Sequence, residues 1–73
     1  MSTMMKQARA ANALQFSSTE GDTIVVPAGR LWVLERPSWV LLMWQSSSGS
    51  RQAEIAVRDY SRQVSLGHIH PAS

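Results

Sequence analysis

The sequence contains no cysteine, and that absence removes two things at once. No disulfide can brace the fold, and no thiolate metal site can be built. A chain without thiols is at home in a reducing cytosol, so a cytoplasmic location is expected. Long apolar runs are also missing. The longest, Trp39 to Trp44, is six residues, against the roughly 20 that a membrane-spanning helix needs, so no membrane partner is expected. The triplet Ala11-Asn12-Ala13 has no apolar stretch before it and does not read as a signal-peptide cleavage site. Charge of one sign is in short supply as well. Seven Lys+Arg face five Asp+Glu, for a net charge of +2. The cations Lys6, Arg9, Arg30, Arg36, Arg51, Arg58 and Arg62 are scattered, whereas nonspecific nucleic-acid binders cluster them densely.

Catalytic hardware is equally sparse. Serines, histidines and aspartates are present, but nothing resembles a strained nucleophile elbow. Pro27-Ala28-Gly29-Arg30 is a turn without the spacing of a phosphate loop. His68 and His70 would point the same way on a strand, yet a closed zinc site needs about four ligands and the acidic residues form no matching cluster. The expectation is therefore a non-enzymatic chain with no catalytic residue, metal, cofactor or small-molecule substrate.

What is present is a strong β signal after a different beginning. The chain has 73 residues, enough for one small domain of marginal stability. Residues 1–19 are rich in Ala, Met, Gln and Asn. They are expected to form a flexible or helical segment, with Ser2 or Thr3 as N-cap and Ser17-Ser18-Thr19 as linker. Residues 20–67 are expected to form a β domain and residues 68–73 a disordered tail. Candidate strands are Thr23–Val26, Leu31–Glu35, Ser38–Gln45, Arg51–Asp59 and Arg62–Leu66. The fold class expected is mainly β, a small antiparallel meander or partly open barrel of about five strands.

Pairing across each turn fixes an expected register. Asp59 with Arg62, Gln45 with Arg51, Glu35 with Ser38 and Val26 with Leu31 place one apolar set on a common face. That face carries Val25, Trp32, Leu34, Trp39, Leu41, Met43, Ala53, Ile55, Val57, Val64 and Leu66, and is expected to be the core. The opposite face carries Ile24, Val26, Leu31, Val33, Val40, Leu42 and Trp44 on strands one to three, and is mostly polar beyond. Such an apolar half-face needs a cover: the N-terminal segment, a second copy, or another protein. Val40, Leu42 and Trp44 are therefore candidate partner-binding residues. Arg58, Tyr60 and Arg62 join them, as an expected hairpin tip with Tyr60 projecting between two guanidinium groups. Tyr and Arg are enriched at binding hot spots.

The start Met1-Ser2-Thr3-Met4-Met5-Lys6 and the body Leu31-Trp32-Val33-Leu34-Glu35-Arg36-Pro37, with the short cysteine-free and mildly basic chain, carry a resemblance. The chain resembles small phage-encoded regulators of host RNA polymerase, the Xanthomonas-phage type of transcription antitermination and initiation-inhibitor protein. The resemblance implies a partner, host RNA polymerase, bound near the RNA exit channel in the host cytoplasm. It implies inhibition of sigma-dependent initiation, suppression of termination, and RNA close at hand. Two alternatives stand beside it. Gln52 to Val57 followed by Gln63 to Leu66 is similar to the paired strands of small RNA-binding β-sheet regulators, and an apolar half-face also suits a self-associating phage structural subunit.

Overall fold

In the computed structural model, residues 5–18 and 20–71 are described. Seven strands and one helix follow in chain order: β1 Lys6–Ala10, β2 Leu14–Ser17, β3 Thr23–Val26, β4 Gly29–Glu35, β5 Trp39–Ser46, β6 Gly49–Ala56, α1 Val57–Ser65 and β7 Ile69–Pro71. The expected mainly-β class holds. Five strands form an antiparallel sheet in the order β6-β5-β4-β1-β7, and β2 pairs with β3 in a second, two-stranded sheet. Among the described residues an isolated antiparallel bridge, Ser18 to Ile55, joins the two.

Over its described residues, 5–18, the N-terminal segment is strand rather than helix. Ala-rich composition favours a helix locally, but the alternation is strand-like. Ala8 and Ala10 are buried while Gln7 and Arg9 are exposed, and Leu14 and Phe16 are buried while Gln15 and Ser17 are exposed. β1 slots between β4 and β7, with Ala8 opposite both Leu31 and Pro71. Pairing on both edges outweighs the weak helical preference of five residues. Ser2 and Thr3, expected as N-caps, lie outside the described residues, as do Thr19 of the linker and the final two residues of the tail. The rest of that tail contributes β7, and Ile69 is buried.

The expected hairpin at Tyr60-Ser61 is a helix. Val57, Tyr60 and Val64 recur at helical spacing and all pack on or against the core. Asp59 in the first turn and Arg62 near the end suit the helix macrodipole. Gly67 ends the helix at φ +79°. His68 N–H donates to Gln63 C=O at 2.9 Å and Gly67 N–H to Val64 C=O at 3.0 Å, the paired bonds of a Schellman cap. That cap turns the chain back to lay β7 beside β1.

The largest correction concerns which face is inside. Ser46 pairs with Gly49, leaving a two-residue turn at Ser47-Ser48 rather than a five-residue loop. Gly49 takes φ +116°, a conformation that favours glycine. Ser46 Oγ bonds the Gly49 carbonyl at 2.9 Å and Gln45 Nε2 donates to Ser50 Oγ at 2.8 Å, so the serine turn is held on both sides. Leu41 consequently lies opposite Glu54, not Ile55, and Val40 takes Ile55. A one-residue slip sends every side chain to the other face. The core is built from Ala8, Ala10, Leu31, Val33, Val40, Leu42, Trp44, Ile55 and Ile69 of the large sheet, with Leu14, Phe16 and Val26 of β2–β3 and Tyr60 of α1. The cover sought for the second face is thus the chain itself, a hairpin from the N-terminal third and a helix from the C-terminal third. Of the face expected inside, Ile55 is buried and Ala53, Val57 and Val64 pack against the core, whereas Val25 and Leu66 are 59% and 58% exposed.

Candidate binding face

The side chains of β4 and β5 that turn away from the core are Trp32, Leu34, Trp39, Leu41 and Met43. Their neighbours in sequence, Leu31, Val33, Val40, Leu42 and Trp44, fill the interior, so strand alternation fixes their direction. All five are partly buried, yet none belongs to the core cluster or to the residues packed against it. They lie against one another across the strands, Trp32 opposite Met43 and Leu34 opposite Leu41. The hairpin and the helix both pack on the inner face. Leu41, at the edge of the outer face, also lines a cleft with Ile24, Val25 and Pro27.

The rim of this outer face is polar and asymmetric. Towards β6 it meets Gln52, Glu54 and Ala56, opposite Met43, Leu41 and Trp39. Towards β1 and β7 it meets Gln7, opposite Trp32, and then a row of three: Arg9 lies directly opposite Arg30 on one side and His70 on the other. All three are exposed. His70 points outward because Ile69 before it points in. His68 faces elsewhere, its Nδ1 2.7 Å from Gln63 Oε1, so the two histidines do not form a pair.

The candidate contact residues separate into two groups. Val40 and Leu42 are fully buried, Trp44 is nearly so, and all three sit in the core. Tyr60 joins them there, on the inward side of α1, rather than projecting at a hairpin tip. Burial, and secondarily the Glu35 carboxylate, raises its phenol above the ordinary value of 10.0. Arg58 and Arg62 remain in solvent, one helical turn apart on the outer side of α1. Sequence reasoning assigned Trp32, Leu34, Trp39, Leu41 and Met43 to the core. The length of the serine turn is what reverses the β5–β6 pairing between the two assignments, and Gly49 was its available signal.

A cleft of about 730 Å³ opens between the Ser18–Asp22 turn and β6, lined by Glu20, Asp22, Ile24, Trp44, Arg51 and Glu54 among others. Ser18 shapes its wall. Its Oγ accepts from Asp22 N–H at 3.0 Å and Glu20 N–H at 3.2 Å. Among the described residues no helix is long and apolar enough to cross a membrane. Comparison with protein-family models, curated proteins and solved structures finds no match.

Proposed function

We propose that the chain is a non-enzymatic binding module that works through the outer face of its five-stranded sheet, and that it acts as a regulator of transcription bound to host RNA polymerase. The observation that supports a binding role is the outer cluster of Trp32, Leu34, Trp39, Leu41 and Met43, five large apolar side chains outside the core. Folding alone does not call for them, since the inner face supplies a complete core. An aromatic centre with a polar rim has the make-up of a protein-docking surface. The polymerase as partner, with inhibition of sigma-dependent initiation and antitermination near the RNA exit channel, is supported by the resemblance of the sequence to phage regulators.

Affinity capture tests this reading. Immobilised chain is expected to retain RNA polymerase subunits from a bacterial lysate and to bind the purified enzyme. The double variant Leu34→Ser, Trp39→Ser is expected to lose that binding with the fold intact. Arg58→Ala with Arg62→Ala is expected to weaken it less. Recovery of no polymerase subunit overturns the reading, and loss confined to the arginine variant overturns the choice of face. A self-associating structural subunit would instead show a concentration-dependent mass in light scattering.

A further inference from the structure

We infer that the cationic corner of the outer face, Arg9, Arg30 and His70 beside Trp32, holds single-stranded RNA. The inference rests on the reading that the outer face is the working surface, and names a second ligand at one end of it.

The row itself carries the argument. Arg9 is centred between Arg30 and His70 as a direct cross-strand neighbour of both. Like charges directly opposite each other on a sheet destabilise it. No compensation is present, because among the described residues the salt bridge formed is Lys6–Glu35, on the other side of the sheet at its rim. Two arginines therefore occupy directly opposed positions, their Cα atoms about 5 Å apart, and among the described residues neither is paired with a carboxylate. That arrangement is unfavourable in the free protein and is relieved by an anion. Guanidinium forks match phosphate oxygens, and His70 supplies a further donor.

Trp32 identifies the anion as part of a nucleic acid strand. It stands two residues along β4 from Arg30, about 7 Å away on the same face, and is partly exposed. A phosphate-binding row with an aromatic platform alongside is the pairing by which β-sheets hold unpaired bases. A duplex keeps its bases stacked and offers none to the indole. Gln7 lies directly opposite Trp32 and is exposed. Its amide can both donate to and accept from a ribose 2′-hydroxyl, which favours RNA over DNA. The apolar remainder of the face, from Leu34 to Trp39, stays available to a protein.

Fluorescence anisotropy with a labelled oligouridylate of about ten nucleotides, a length within single OB-fold footprints, tests the inference. Binding is expected, with a logarithmic salt slope of about −1.4 from two arginine–phosphate contacts at about 0.7 each. Arg9→Ser with Arg30→Ser is expected to weaken binding at least about tenfold while leaving the melting temperature unchanged or higher, because a repulsion has been removed. Trp32→Leu is expected to weaken it roughly 5- to 150-fold, and Arg9→Lys with Arg30→Lys to retain most of the salt slope. Absence of binding at low salt, or affinity unaffected by the double Ser variant, overturns the inference. Equal affinity for oligodeoxythymidylate overturns the assignment to RNA. Polymerase capture without RNA binding leaves the proposed function standing and this inference refuted. RNA binding without polymerase capture does the reverse.

Discussion

Leu41 and Leu42 are adjacent in β5, chemically identical, and assigned to opposite faces. Leu42 is fully buried in the core, paired with Val33 and Ala53. Leu41 is partly buried on the outer face, between Leu34 and Glu54. Leu42→Ala removes a side chain from a closed interior and leaves a cavity, a loss of about 2–5 kcal/mol. Leu41→Ala uncovers part of a surface that already meets water, at about 1 kcal/mol. A domain of this size melts about 4–8 °C lower per kcal/mol lost. Leu42→Ala should therefore lower the midpoint by at least about 8 °C and Leu41→Ala by less than about 8 °C. The assay is thermal or urea unfolding followed by circular dichroism and tryptophan fluorescence, in dilute protein so that the outer face stays free. Total stability for 73 residues is about 4–11 kcal/mol, so Leu42→Ala could leave the chain unfolded. Val40→Ala, at another fully buried position, is the milder companion. Greater destabilisation by Leu41→Ala than by either buried substitution would refute the register and restore the five-residue serine loop.

Other outcomes follow from the same structure. The Tyr60 phenol is held above its ordinary value of 10.0, chiefly by burial. The folded state therefore keeps this proton more tightly than the unfolded state, and the stabilisation is full below pH 10 and is lost as pH rises through the folded value. A pH series of urea midpoints should fall above about pH 10, and Tyr60→Phe should remove that contribution. Gly67→Ala meets no steric obstacle, but φ +79° at this position is unfavourable for an L side chain, by about 1–2 kcal/mol. The melting midpoint should drop by roughly 4–16 °C; an unchanged midpoint would mean that the Schellman cap does not fix the helix end. Lys6→Ala breaks an ion pair whose side chains are 66% and 45% exposed, and the urea midpoint should shift by the equivalent of less than about 1 kcal/mol.

The legible parts of the fold were those where one signal stood unopposed. Strands over β3, β4 and β5 followed from runs of Val, Ile, Leu and Trp bounded by Pro27, Pro37 and the serines. The signals of β1, β2 and α1 each had a competitor. β1 and β2 carry period-two alternation, Gln7-Ala8-Arg9-Ala10 and Leu14-Gln15-Phe16-Ser17, but alanine is a poor strand former in isolation, and composition hid the pattern. α1 carries Val57, Tyr60 and Val64 at helical spacing with Gly67 in the capping position. The same valines also satisfy a hairpin across Tyr60-Ser61, and nothing local decides between the two. The pairing of β3 with β2 instead of β4 is a long-range choice, made by the need to lay Leu14, Phe16 and Val26 over the core. The candidate site failed for a related reason. Trp44, Val40 and Leu42 form an apolar set that calls for a cover, and the structure covers them with Leu14 and Phe16 of the segment expected to be flexible or helical, Val26 of β3, and Tyr60 of the expected hairpin tip.

The choice between two apolar faces on β4 and β5 is settled by the flanking strands. Both faces of the central pair could fill a core: Leu31, Val33, Val40, Leu42 and Trp44 on one side, Trp32, Leu34, Trp39, Leu41 and Met43 on the other. β6 breaks the tie by offering Ala53 and Ile55 inward and Gln52 and Glu54 outward, and β1 by offering Ala8 and Ala10 inward and Gln7 and Arg9 outward. Phe16 of β2 and Tyr60 of α1 complete that core. Once the inner face is satisfied in this way, the outer aromatics add little to folding, and an exposed apolar surface is an association hazard. Polar residues at Trp32 or Trp39 would serve a merely structural sheet as well. Their presence, with Arg9 opposite Arg30 at one end of the same face, is what the proposed docking surface accounts for.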